Sequence, residues 1–447
     1  MTEKTLLKNI AVVNEGQITV TDVLIENGLI RKIGQIDDVD ANIMDGTGKY
    51  LFPGIIDGQV HFREPGLTHK ADLYTESRAA VAGGTTSFID MPNTVPNVLT
   101  MDILNEKYRI AAEKSLANFG FFLGVNGDNL DEIIQLDTSR LLAVSDDGLY
   151  FTKKGNLLAD NPETMEKLFA NCKSIVAIHS EKEQIIEENE QIYREKYGEN
   201  VPVEFHPVIR SEKACYEATK RAIDIANKHN ARLHILHLTT EAETHLFRND
   251  IPLEEKNITT EVSVHHLWFS DKDYERLGTL IKWNPAIKTE KDRKGLLDAL
   301  LDDRIDIVTT DHAPHTLEEK QRLYFQAMSG APIVQFSLNI MLEFYRQGLI
   351  SLEKIAEKMC HNPAILYQIE KRGFIREGYF ADLTIVDLNA SWTVDKDIIY
   401  SKCGWSPLEG TTFHSKVIRT FVNGNLVFDN GTFDYRIKGC ALTKTSH

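Results

Sequence analysis

Imidazoles, carboxylates and amides recur where short apolar runs of this chain end. One run closes on Gln59-Val60-His61, a second leads to Met91-Pro92-Asn93, and a third enters Asp146-Asp147-Gly148. His179 and His237 end two more, His265-His266 another, and Asp311-His312-Ala313-Pro314-His315 the last. Histidine nitrogens combined with aspartate oxygens suit zinc or a similar first-row divalent metal. Such a metal brings the pKa of water down to about 7. An aspartate beside it can hold the metal and also accept the proton that water loses, the role open to Asp311. The bland reading of Asp311 is a carboxylate that caps the segment after it. Gln59 and His61 are two apart, so on a strand they share a face. His234 and His237 are three apart and would face opposite ways. His237 lies nearer the strand end and is the ligand candidate; His234 reads as structural. A lone strand-end histidine is more often packed than functional, so the weight rests on the set. His69, His229, His245, His361, His414 and His447 lie away from strand ends and read as surface or structural.

These groups meet only if the chain brings the run ends together. Eight candidate strands stand in the middle of the sequence: 55–61, 85–90, 119–124, 141–145, 175–179, 233–237, 258–264 and 305–310. Helix-like segments separate most of them, such as ADLYTESRAAVAGG, which stops on Gly83-Gly84. Parallel strands with helical crossovers predict a (β/α)8 TIM-type barrel, whose C-terminal strand ends converge on one face. An open doubly wound sheet would carry a glycine fingerprint after its first strand; Gly54 and Gly58 do not have that spacing. Both ends of the chain have a different texture. LLKNIAVVN, ITVTDVLIENG and LIRKIGQ at the start, and ADLTIVDL, VIRTFVNG and NLVFDNG near the end, are short β-rich runs with Asn-Gly turns. The expectation is one small β-sandwich domain built from 1–52 and 373–447 beside a barrel over 53–372. The polar stretch Glu181 to Asn200 reads as a solvated helix before it reads as a lid.

Composition narrows the function class. The chain has 447 residues, and 50 Lys+Arg against 66 Asp+Glu give a net charge of −16. An acidic total with no basic stripe argues against nucleic acid as partner. No run approaches the roughly 18–20 apolar residues of a membrane span. MTEKTLLKNIAVVNEG lacks the apolar stretch of a secretory signal. Cys172, Cys215, Cys360, Cys403 and Cys440 are odd in number and contain no CxxC, which reads as reduced thiols in a cytoplasmic protein.

The motifs PGIIDGQVHFREPG, MPNTVP, SDDG, IVAIHSE, LHILHLTT, EVSVHHL, WNPAIK and TDHAPHTLEEK resemble the serial motifs of the amidohydrolase superfamily, most closely the bacterial class I dihydroorotases. The resemblance runs from about Leu51 to Ile365 and resumes at REGYFADLTIVD. It implies zinc-dependent, reversible hydrolysis of dihydroorotate to N-carbamoyl-L-aspartate in de novo pyrimidine biosynthesis, with one or two Zn2+ per chain. It assigns His61, Asp147, His179, His237 and Asp311 to the metal, with Gln59 at best a long further contact in place of histidine, Asp146 the alternative to Asp147 and Asp311 also the proton shuttle. Many relatives bridge their metals with a carboxylated lysine; Lys153 and Lys154 lie near. Arg63 and Asn93 match positions that hold the substrate carboxylate, for which a planar guanidinium is suited. Asn284, His315, Ser329 and Gly330 match further substrate contacts. Two positions depart from the pattern: Gln59 stands where the family has histidine, and Lys288 where it has arginine. Gln59 offers only a neutral oxygen, so unequal metal sites are expected: tight at His179, His237 and Asp147, weaker at His61, Asp311 and Asp147. The alternatives are a cyclic-amide hydrolase of the dihydropyrimidinase or allantoinase type, or a non-catalytic dihydroorotase-like scaffold subunit. The partner expected is a small-molecule substrate, with homo-oligomer formation left open.

Overall fold

The first apolar run, Ile55–Val60, is a strand with every residue buried. It is the first of eight parallel strands in the computed structural model, which describes residues 4–37, 39–149 and 157–445. Lys153, Lys154 and His447 lie outside the described residues. The barrel strands are β1 (Ile55–Val60), β2 (Thr85–Asp90), β3 (Asn118–Phe121, continued by Leu123–Gly124), β4 (Ala143–Ser145), β5 (Ile175–Ile178), β6 (Leu233–Ile235), β7 (Ile258–Ser263) and β8 (Ile307–Thr309). β1 pairs with β2 and β2 with the first part of β3; the second part of β3 pairs with β4, and the order then runs to β8. A parallel bridge between Val60 and His312 closes the ring, with His61 N donating to His312 O at 2.8 Å. The strands are buried on both faces because helices cover the outside, and they therefore read as continuous apolar runs.

The crossover helices start and stop where local chemistry dictates. Leu73–Ala82 opens on a capping box, in which Asp72 Oδ1 accepts from Thr75 N at 2.9 Å and Asp72 N donates to Thr75 Oγ1 at 3.2 Å. Its end runs into Gly84 at φ +88°, where a Cβ would lie 2.6 Å from the Thr384 side chain. That close approach joins barrel and β domain, and Thr384 Oγ1 donates to Gly84 O at 2.8 Å. Glu212–His229 starts from Ser211 and ends on Asn230 in the left-handed region.

The two chain ends form one sheet. Tyr50–Pro53, late in the N-terminal part, pairs antiparallel with Leu383–Asp387, so Thr384 lies opposite Phe52. The remaining strands flank this seam: Lys4–Asn14, Gln17–Glu26, Leu29–Gly34 and Asn42–Asp45 on one side, Lys416–Val422, Asn425–Asp429 and Thr432–Phe433 on the other. Asn27-Gly28 and Asn423-Gly424 turn with positive φ at both residues, the conformation that selects Asn-Gly in tight hairpins. Two stretches of the C-terminal part leave this sheet. A two-stranded antiparallel pair, Trp392–Thr393 with Thr412–Phe413, packs its rings on Phe336, and Ala441 bridges Phe119 at the barrel. Glu183–Tyr197 is a helix with an exposed outer face; Ile186, Tyr193 and Tyr197 pack inward with Phe205, Tyr324 and Phe325. Among the described residues no helix is long and apolar enough to cross a membrane.

Candidate metal centre and active site

Three backbone distortions aim side chains into the barrel mouth. Arg63, His237 and Asp311 take φ of +68°, +38° and +45° just past the ends of β1, β6 and β8. Positive φ is costly for residues other than glycine and persists where surrounding structure enforces it, often at functional sites. It also corrects the parity argument for His237: β6 stops at Ile235, so His237 is placed by this turn and not by strand alternation. His234, still in the strand, contacts Thr259 Oγ1 at 2.9 Å and Glu261 Oε2 at 3.1 Å, as a structural histidine does.

Asp147 is the centre of the cluster. Its Oδ1 lies 3.5 Å from His179 Nδ1 and 3.8 Å from His237 Nε2, and the two nitrogens are 3.1 Å apart. All three residues are buried, and their ligand atoms lie within 4.8 Å of one another. His237 Nδ1 is buried without a hydrogen-bond partner. Two imidazole nitrogens and a carboxylate oxygen converging in this way fit a divalent cation with nitrogen and oxygen preference. His179 turns its other nitrogen, Nε2, to Glu181 Oε2 at 2.8 Å, and Arg210 pairs with Glu181. A carboxylate behind a ligating histidine fixes which nitrogen faces the metal. Asp146 points elsewhere: it accepts from Leu158 N at 2.6 Å and His179 N at 3.0 Å. Burial pushes Asp146 up to about 7.

Asp147 Oδ2 faces the other half of the site. Gln59 Nε2 donates to it at 3.3 Å, and His61 Nε2 lies 3.2 Å away. Gln59 and His61 thus share a face, as strand parity requires. His61 Nε2 is also 3.0 Å from Asp311 Oδ1, and its Nδ1 is 2.8 Å from Asn93 Oδ1. Burial works against a charge on His61, yet hydrogen bonds and charges from Asp147 and Asp311 outweigh it and raise its pKa to about 10. His179 is likewise raised to about 9 against burial, by Asp147 and Glu181. Burial would raise Asp147, but the imidazoles around it hold it well below the usual carboxylate range.

His61, Arg63, Asn93, Asp147, Asn284, Asp311, Ser329 and Gly330 line one cavity with Gly148, Trp283 and Ala313. His179 and His237 do not line it and reach it through Asp147. Arg63 is buried; its Nε donates to Pro314 O at 3.1 Å and an Nη lies 3.0 Å from His315 Nε2. His315 stands behind Arg63, 3.0 Å from Lys70 Nζ, and burial with the Arg63 charge pushes its pKa well down. Its contact with the cavity is indirect: His315 Nε2 is 2.9 Å from the Ser329 carbonyl. His265 and His266 lie on a helical turn beyond β7 and do not join the cluster. His265 stacks on Trp283 at 4.0 Å, and burial brings His266 down to about 3. The sequence reading did not single out Trp283, Glu181 or Glu261, although all three stand inside the quoted motifs WNPAIK, IVAIHSE and EVSVHHL.

The Amidohydrolase family matches residues 50–427. The chain belongs to the amidohydrolase family. It is a metal-dependent cyclic amidohydrolase, with its imidazoles and carboxylates at the strand ends. This amidohydrolase is 33% identical to the dihydroorotase of Methanosarcina acetivorans over 90% of its own length and 88% of the relative's. It is 32% identical to the dihydroorotase of Pyrococcus abyssi, over 96% and 95% of the two chains. In fold it superimposes on the L-hydantoinase (dihydropyrimidinase) from Arthrobacter aurescens with a TM-score of 0.90, at 26% identity and covering 99% and 100% of the two chains. The dihydropyrimidinase of Brevibacillus agri gives a TM-score of 0.85 at 24% identity, over 96% of each chain.

Proposed function

We propose that this amidohydrolase is a dihydroorotase, which interconverts dihydroorotate and N-carbamoyl-L-aspartate. The observation that carries the reading is that Asp147, His61 and Asp311 line one cavity together with the buried Arg63. A cyclic amide bearing a carboxylate fits both. Arg63 and Asn93 hold the carboxylate, which places the ring amide over the acidic cluster. Asn284 and the Ser329–Gly330 backbone border the ring edge.

Zinc is the metal we assign, held by Asp147, His179 and His237, with His61 and Asp311 flanking a second position; bound there, it supplies Lewis acidity and makes water nucleophilic near neutral pH. Asp311 accepts the proton of the attacking water and returns it to the ring nitrogen as the C–N bond breaks, so it begins and ends each turnover as a carboxylate. His61, beside both Asp311 and Asp147, orients these two acids. Two relatives named dihydroorotase above 30% identity support this reading. The hydantoinase likeness favours a second one, hydrolysis of a neutral ring, in which Arg63 would have no carboxylate to meet.

The same reading places the protein in the cytoplasm, in de novo pyrimidine synthesis, with homo-oligomers compatible with it. It also divides the chain at 52 and 372. The test is cyclisation and hydrolysis by purified protein supplemented with zinc, followed by the absorbance of dihydroorotate. Formation of dihydroorotate from N-carbamoyl-L-aspartate is expected. No reaction in either direction, with metal bound, would sink the proposal.

A further inference from the structure

Lys282 and Lys320 are buried lysines that the chemistry above does not use. Lys320 is the last residue of TDHAPHTLEEK and is fully buried. Among the described residues, every hydrogen-bond partner of both ammonium groups is a backbone carbonyl. Lys320 Nζ donates to the carbonyls of Lys282 at 3.1 Å, Met328 at 2.8 Å and Gly330 at 2.7 Å. Lys282 Nζ donates to those of Tyr324 at 2.7 Å and Ala327 at 2.6 Å. Three carbonyls can meet every N–H that a lysine side chain offers, so Lys320 is fully satisfied by this cradle. Burying such a group is costly unless its donors are met, and an apolar filler would avoid the cost.

The carbonyls belong to two segments that border the substrate cavity. One runs from Tyr324 to Gly330 and carries Ser329; the other leads from Lys282 into Trp283 and Asn284. Gly330 N returns a hydrogen bond to Lys282 O at 2.8 Å. Gly330 sits at φ +115°, where a Cβ would lie 2.5 Å from Ala313 Cβ, two residues past Asp311. The wall is therefore fitted closely against the strand end that bears the shuttle. His206 ties the same two segments from outside, with Nε2 2.6 Å from Trp283 O and Nδ1 2.8 Å from the Tyr324 hydroxyl.

We propose that Lys320, backed by Lys282, is a positioning residue that clamps the Ser329–Gly330 wall against Trp283–Asn284 and thereby sets affinity for the ring edge of the substrate. It rests on the reading of this cavity as the substrate site. Lys320 touches neither the metal ligands nor Asp311, so it acts on binding and leaves the bond-breaking step alone.

Steady-state kinetics and hydrogen exchange on metal-loaded wild type, Lys320→Met and Lys320→Gln test it. Lys320→Met should raise KM about tenfold or more, the scale of lost buried hydrogen bonds, while kcat and metal content stay near wild type. In substrate-free protein the Gly330 amide should lose protection while the amides of β5 and β6 keep theirs. Lys320→Gln retains two N–H donors and should fall between wild type and Lys320→Met in both measurements. The exchange result requires no substrate: inactive wild type would refute the dihydroorotase reading, and Gly330 protection would still decide the clamp. Unchanged KM with unchanged Gly330 protection overturns the proposal. So does a loss of kcat and metal in step with KM, which marks general structural damage. If Lys320→Met does not fold, Lys320→Gln is judged by the same criteria.

Discussion

Gln59 and Asp147 are joined by a hydrogen bond from the amide nitrogen to Oδ2, 3.3 Å long, while Gln59 Oε1 is buried without a partner. The bond divides the aspartate. Oδ2 is engaged by Gln59 and His61, and Oδ1 faces His179 and His237. A neutral amide oxygen is a poorer ligand for zinc than imidazole. Metal analysis after brief chelation should therefore find one ion retained per wild-type chain and a second one lost. Gln59→His should raise the retained content toward two. Two equally retained ions in the wild type would refute the division.

The raised pKa values of His61 and His179 have a pH signature. Unfolded histidine titrates near 6.5, and the folded, metal-free values are about 10 and about 9. Both shifts are upward, so their contribution to stability is fully present below about 6.5 and is lost as pH rises through about 9 to 10. A metal must displace these protons, so the loaded protein lacks this loss. Melting curves across that range should show the Tm of metal-free protein falling with pH while that of loaded protein stays flatter. Parallel curves would mean that the two imidazoles are not protonated in the metal-free site.

Lys107 and Asp90 form a fully buried pair at 2.6 Å under the mouth of the barrel. Asp90 Oδ1 accepts from Phe62 N at 2.8 Å, and Lys107 Nζ donates to Met91 O at 3.0 Å. The pair thus fixes the segments that carry His61, Arg63 and Asn93. Lys107→Met leaves Asp90 buried without its counter-ion, which should cost about 3–5 kcal/mol. Urea unfolding measures it. A loss below about 1 kcal/mol, the range of exposed ion pairs, would show that Asp90 is compensated elsewhere.

Much of this architecture was legible in the residues. Apolar runs ending in His or Asp marked the barrel strands and the face where they converge, because a parallel barrel buries its strands and gathers their C-terminal ends. Asn27-Gly28 and Asn423-Gly424 marked hairpins because the turn needs positive φ at both positions. What stayed hidden depended on three-dimensional approach. Asp147 and Asp146 are adjacent acids, and only the fold shows that Asp146 is spent on the Leu158 and His179 amides. Trp283 and Glu181 become visible through what they stack on or bond to. Lys320 looks like a solvated residue of an EEK run, yet it is buried in a cradle of carbonyls.

Asp311→Asn separates chemistry from architecture. The amide keeps the shape of the side chain and cannot take up the water proton. Loss of a general base costs about 10²–10⁴ in rate. kcat should fall at least that far while the circular dichroism spectrum and Tm stay close to wild type. A near-normal kcat would make Asp311 structural.

The most direct test of the whole account is the ratio of kcat/KM for dihydroorotate to that for dihydrouracil, measured in wild type and in Arg63→Met. The wild type should strongly prefer dihydroorotate. Arg63→Met should lose about 1.5–3 kcal/mol on the carboxylated ring, the worth of a hydrogen bond to a charged group, and little on the neutral one. A wild type that prefers dihydrouracil, or equal losses on both rings, would contradict the assignment.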